Sequence, residues 1–92
     1  MPQIFRIGSY IVYIWSDEGL PVEPIHVHVS QGKPSANSTK IWITKNQKCI
    51  VANNKSKIPP HVLSDIIDLI ELRAPFIVQI WKEHFGDVKF FC

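Results

Sequence analysis

Pro24-Ile25-His26-Val27-His28-Val29 is the stretch that decides the fold. Its aliphatic residues Ile25, Val27 and Val29 alternate with two histidines, so an extended chain presents three apolar side chains on one face and two imidazoles on the other. That period predicts a strand with one face against a core. Upstream, Ile4-Phe5-Arg6-Ile7 and Tyr10-Ile11-Val12-Tyr13-Ile14-Trp15 flank a Gly8-Ser9 break and are rich in β-branched and aromatic residues, which suit a pleated surface. Ser16 to Pro24, with Gly19, Pro21 and Pro24, reads as a loop. Downstream, the turn-rich Gln31–Ser38 leads to a second alternating run, Lys40-Ile41-Trp42-Ile43-Thr44. Lys45-Asn46-Gln47-Lys48 then suits a hairpin turn into Cys49-Ile50-Val51-Ala52.

Beyond Lys57 the period changes. Pro59-Pro60 can open a helix, because the amide that proline lacks would be unpaired in a first turn. Val62, Leu63, Ile66, Ile67 and Ile70 recur at helical spacing, with Asp65, Asp68 and Glu71 opposite. Pro75 should end or kink this helix, or start the next. Phe76, Ile77, Ile80, Trp81 and Phe85 form a second apolar stripe, stopped by Gly86, and Val88–Cys92 reads as a short extended tail. The expectation is an α+β fold: one domain, residues 1–92, with an antiparallel sheet of four or five strands covered by two C-terminal helices.

Composition bounds the function. The 92 residues are 46% apolar and 20% charged, with a net charge of +2. That is too apolar for a disordered chain and too mildly charged for a histone-like coat. No apolar run approaches the roughly 18 residues that span a bilayer, and no basic-then-apolar leader is visible, so a cytoplasmic protein with free thiols is expected. The apolar surplus is harder to place. Leu69, Leu72, Val78, Phe90 and Phe91 fall outside a two-layer core, and with Trp81 and Phe85 they are candidates for a homo-oligomer interface formed by the second helix and the tail. The blander reading leaves some of them exposed on a monomer, as apolar atoms commonly are.

Charge is unevenly spread. From Pro24 to Ser64 there are six lysines (33, 40, 45, 48, 55 and 57) and no acidic residue; the three consecutive segments carry net −2, +6 and −2. A cationic sheet face bearing Trp42 beside Lys40 can hold phosphates and stack on a base. Lysines also guard strand edges against aggregation, which needs no ligand. His26 and His28, at i and i+2, can converge on an anion, a proton-transfer reaction or a metal. No third ligand is compellingly spaced, although Asp17, Glu18 and Glu23 precede them, so no metal or cofactor is assigned. The candidate anion-binding set is His26, His28, Trp42, Lys40, Lys33 and His61. The competing view makes the histidines ordinary polar residues of the less apolar strand face. Cys49 reads as a small buried hydrophobe, Cys92 as an unframed terminal thiol, His84 as a helix C-terminal residue favoured by the dipole, and Trp15 and Trp81 as core or interface anchors.

The start Met-Pro-x-Ile-x-Arg, the strand Ile11-Val12-Tyr13-Ile14, the segment Pro24-Ile25-His26-Val27-His28-Val29 and a strand Lys40-Ile41-Trp42-Ile43 leading to a helical end with Trp81 resemble the domain-of-unknown-function family numbered 4160. The resemblance covers nearly the whole chain. It implies a small bacterial accessory or mobile-element protein, with genes in toxin–antitoxin-like arrangements and His26 and His28 as signature residues; it implies no established activity. The chain departs from the family pattern in a longer loop from Ser16 to Glu23, in a turn at Asn46-Gln47 without a Thr-Gly-Glu-like hairpin, and in Pro75. These departures put in doubt any ligand contributed by the loop or the hairpin.

Two functions are expected to compete. The first is a non-enzymatic, oligomeric binding module for nucleic acid or an acidic protein. There the lysines attract, Trp42 stacks, and the histidines donate hydrogen bonds that strengthen below about pH 6.5. The second is a small metal-independent ribonuclease-like toxin with His26 and His28 as acid and base. A third is a regulatory subunit acting through its helical surface.

Overall fold

The computed structural model of the chain describes residues 3–15 and 23–92. Five strands, β1 (Gln3–Ile7), β2 (Tyr10–Tyr13), β3 (His26–Gln31), β4 (Thr39–Ile43) and β5 (Cys49–Asn54), precede two helices, α1 (Pro60–Leu72) and α2 (Ala74–Phe85). The strands form one antiparallel sheet in chain order, β1-β2-β3-β4-β5. This is the α+β architecture that the two periods predict.

Turn chemistry sets the meander. Gly8 turns β1 into β2 at φ +57°, in the left-handed region that glycine enters without a Cβ penalty. Between β4 and β5 the same conformation falls to Gln47, at φ 62°, held by the Gln47 amide on the Thr44 carbonyl at 2.9 Å and the Thr44 amide on the Lys48 carbonyl at 2.8 Å. A hairpin therefore forms at Asn46-Gln47 without a glycine, with two backbone hydrogen bonds offsetting the strain. In β5, Asn53 lies opposite Lys40 and Val51 opposite Ile41, so Ala52 is the extra residue of a bulge.

One sheet face carries Val12, Val27, Val29, Ile41 and Ile43, and these join Ile66 and Ile70 of α1 and Ala74, Ile77 and Trp81 of α2 in the core. The helices start where proline permits. Pro60 opens α1, and Pro75 lies in the first turn of α2, so it begins the second helix rather than kinking the first. A single residue, Arg73, joins the two. Gly86, at φ +83°, ends α2 by donating its amide to the Lys82 carbonyl at 2.7 Å. The Asn54 side chain clamps the link into α1, accepting from the Ile58 amide and donating to the Ile58 carbonyl, each at 3.0 Å.

The corner between the helices reaches both edge strands. The Glu71 carboxylate accepts the Cys49 amide of β5 at 2.9 Å, while the Arg73 guanidinium lies 5.1 Å from the centre of the Phe5 ring of β1. The sheet is thus curled enough for one corner to bridge its two edges, and an amide of the β5 edge is capped rather than left open.

Packing corrects several expectations about apolar residues. Trp81 is fully buried in the core and cannot contact another chain. Its line is set by Ile77 at i−4, and Phe76, 100° to the side of Ile77, is 55% exposed instead of lying in the buried stripe. Leu69, Val78, Phe85 and Phe90 pack partly against the core, so the tail and the flanks of the helices absorb much of the apparent surplus. Leu72 at 77% and Phe91 at 57% remain exposed. No helix among the described residues is long and apolar enough to cross a membrane.

Candidate functional site: the histidine face of the sheet

Register places the chemistry-bearing residues on the sheet face opposite the aliphatic one. His26 pairs with Trp42, and His28 pairs with Lys40 on one side and Tyr13 on the other. Because side chains alternate, Tyr13, His26, His28, Lys40 and Trp42 all project to this face. The expectation that the histidines share a face with Trp42 and Lys40 matches this pairing.

The same face is not open. His26 is 1% exposed and His28 7%. The His26 ring meets the rings of His28 at 5.1 Å, Trp42 at 5.4 Å and Trp81 at 5.3 Å, all edge-on. Its Nδ1 lies 2.9 Å from the Pro24 carbonyl oxygen; a carbonyl only accepts, so Nδ1 carries the proton there. His28 stacks on Tyr13 at 5.7 Å, meets Trp15 edge-on at 6.2 Å, and holds the Ser38 hydroxyl at 2.8 Å through Nδ1. Tyr13 is itself fully buried, its hydroxyl 2.7 Å from Ser30 Oγ and accepting the Ser35 amide at 3.2 Å. An exposed pair of imidazoles, as an anion-binding or acid–base surface requires, is therefore corrected to a buried aromatic and polar layer. The Ser35–Ser38 connection folds over this layer, with the Ser35 amide on the Tyr13 hydroxyl and the Ser38 hydroxyl on His28.

The other candidates lie elsewhere. Lys33 is exposed in the β3–β4 connection, and His61 is exposed in the first turn of α1, on the helical layer. Trp42 and Lys40 are half-buried, with the Lys40 ammonium 4.4 Å from the Trp42 ring centre. Among the described residues no three His, Cys, Asp or Glu side chains converge as a metal group. Asp17, Glu18 and residues 16–22 of the loop expected from Ser16 to Pro24 lie outside the described residues. No cavity opens between the candidates among the described residues.

Two participants escape sequence reasoning. Ser38 looks like one more turn residue until the β3–β4 connection brings it to His28. Phe91 stacks on Trp42 at 5.1 Å with only 7° between the planes. The segment that carries it is tied down by the Ile25 amide on the Lys89 carbonyl at 2.8 Å and the Lys45 amide on the Cys92 carbonyl at 3.1 Å. An aromatic tail signals a surface to cover, but not which one.

Cys49 behaves as a half-buried hydrophobe. Burial, and then the neighbouring Glu71 carboxylate, push its thiol from 9.0 up to about 12, with Lys48 opposing. The native thiol holds its proton where the unfolded one releases it. Its contribution to stability is therefore complete below pH 9 and is lost as pH rises toward 12. In a Cys92→Ser background at pH 8, Cys49 should react with a disulfide reagent about 30- to 60-fold more slowly folded than unfolded, because the scarcer native thiolate is also the more nucleophilic one. Equal rates would contradict this environment, and Glu71→Gln should speed the native reaction.

The fold and this face define a small α+β module: a five-strand meander, capped by a two-helix corner, with two histidines buried in an aromatic layer. The chain belongs to the family described as Domain of unknown function (DUF4160), whose profile matches residues 9–82. No curated protein and no solved structure matches it.

Proposed function

We propose that the protein is a non-enzymatic binding module for an anionic polymer, acting through the lysine-rich half of the sheet rather than through its histidines. The distribution of charge carries this reading: Lys33, Lys45, Lys48, Lys55 and Lys57 are exposed in the connections that flank β4 and β5, Lys40 is half-buried beside Trp42, and no acidic residue lies between Pro24 and Ser64. Lysines at both ends of the β4–β5 pair, with no acidic residue in the same stretch of chain, raise the potential of this half of the sheet and attract phosphates or carboxylates over roughly a Debye length. His26 and His28 then hold the sheet that displays the lysines. Cytoplasmic location, assembly of copies through Leu72 and Phe91, and a toxin–antitoxin-like accessory role belong to this same reading.

The test is binding of a fluorescent 12-nucleotide single-stranded RNA at 50 and 200 mM salt, with polyglutamate in parallel. Affinity that collapses with salt supports the reading. Binding of neither polymer at 50 mM overturns it.

The ribonuclease-like reading keeps one observation in its favour, the 5.1 Å spacing of the His26 and His28 rings. It requires RNA to reach two buried imidazoles. RNA cleavage by the purified protein that disappears in the His26→Ala/His28→Ala variant, with the fold intact, would establish it over the binding reading.

A further inference from the structure

The Trp42 ring is the one aromatic surface within the lysine-rich half of the sheet, and the chain covers it with its own Phe91. The contact is a parallel stack at 5.1 Å and 7°, the geometry in which a nucleobase lies on tryptophan. Lys40 holds its ammonium 4.4 Å from the centre of the same ring, a cation–π contact that keeps a positive charge beside the stack. The covering segment runs on to Lys45, another lysine of the basic stretch, whose amide binds the Cys92 carbonyl at 3.1 Å.

Phe91 is weakly committed to this place. It is 57% exposed, whereas Val88 and Phe90 are partly buried against the core and the Lys89 carbonyl is held by the Ile25 amide. The segment can therefore stay anchored while the Phe91 side chain alone swings away, a rotamer change about χ1.

Resting on the anionic-polymer reading above, we infer that Trp42 with Lys40 is a stacking site for one base of a single-stranded nucleic acid, and that Phe91 occupies it in the unbound protein as an internal competitor. The base replaces one stack with another and gains the Lys40 charge. The net preference for nucleic acid over a baseless polyanion is therefore masked until Phe91 is displaced.

The experiment compares oligouridylate, inorganic polyphosphate and polyglutamate on the wild type, Phe91→Ala and Phe91→Ala/Trp42→Ala, with circular dichroism to confirm the fold. A Trp–Phe stack of ordinary strength corresponds to a gain of about 2- to 12-fold in oligouridylate affinity when Phe91 is removed. Polyphosphate and polyglutamate affinities should not move, and the added Trp42→Ala should abolish the gain. Phe91→Leu, which keeps apolar bulk without a flat ring, should give the gain as well. Unchanged or weakened oligouridylate binding in Phe91→Ala overturns the inference, while salt-sensitive binding by the wild type leaves the anionic-polymer reading standing. An equal gain for polyphosphate or polyglutamate also overturns it, because charge or an acidic partner, not base stacking, would then be responsible. Absence of binding to all three polymers in every variant defeats the reading and the inference together.

Discussion

Trp81→Ala should lower the unfolding free energy by about 3–5 kcal/mol, read by urea denaturation with Trp15 and Trp42 fluorescence. Trp81 is fully buried, packs its ring 4.3 Å from that of Phe85, and reaches the His26 ring at 5.3 Å, so it joins the helical core to the histidine layer. Truncation leaves a cavity that two neighbouring layers would both have to fill. A chain of this size has only about 5–14 kcal/mol to lose, so the variant should be far less stable and partly unfolded on warming. Trp81→Phe should cost less than half as much. The indole N–H is buried with no hydrogen-bond partner among the described residues, and phenylalanine removes that polar group while keeping most of the ring. A loss below 1 kcal/mol in the alanine variant would show that Trp81 does not bridge the layers. That result would return it to the surface role that its place in an apolar stripe also allows.

Raising salt from 50 to 200 mM should weaken binding of a 12-nucleotide RNA about 50- to 130-fold, if four or five lysines each neutralise one phosphate. The candidates are the five exposed lysines and Lys40, and their spacing along β4, β5 and the adjoining turns is too wide for one phosphate to satisfy more than one or two. Replacing Lys45, Lys48 and Lys55 together by alanine should reduce the logarithmic salt slope by about 2, because each lost contact removes about 0.7 on a single strand. The substitutions lie in exposed turns and at the rim of β5, so melting temperature should barely change. A slope untouched by the triple substitution would place the binding surface elsewhere. A flat dependence on salt in the wild type would remove the electrostatic basis of the reading altogether.

Much of the architecture was legible because it follows from local periods. Alternation at Ile25–Val29 and Lys40–Thr44 marks strands whose aliphatic sides must be buried, and the switch to helical spacing after Pro59-Pro60 marks where the sheet ends. Pro75 and Gly86 punctuate the second helix for steric reasons that hold in any context. The candidate site was legible only as a list of residue types on one strand face. Phe76 shows the boundary of such reasoning: its spacing fits a stripe, yet a rotation of 100° from Ile77 leaves it in solvent.

Local pattern is enough for the α+β class, the order of strands and helices along the chain, the placing of His26 and His28 together on one strand face, and a basic middle between acidic flanks. Strand register brings Trp42 and Lys40 to that face, and packing between distant segments covers the two imidazoles while five of the six lysines stay exposed. Burial of His26 depends on Trp81, 55 residues along the chain, and the Trp42 ring is covered by Phe91, 49 residues along it. Local periodicity reports which way a side chain points; what meets it there is set by contacts between distant segments, which no period encodes.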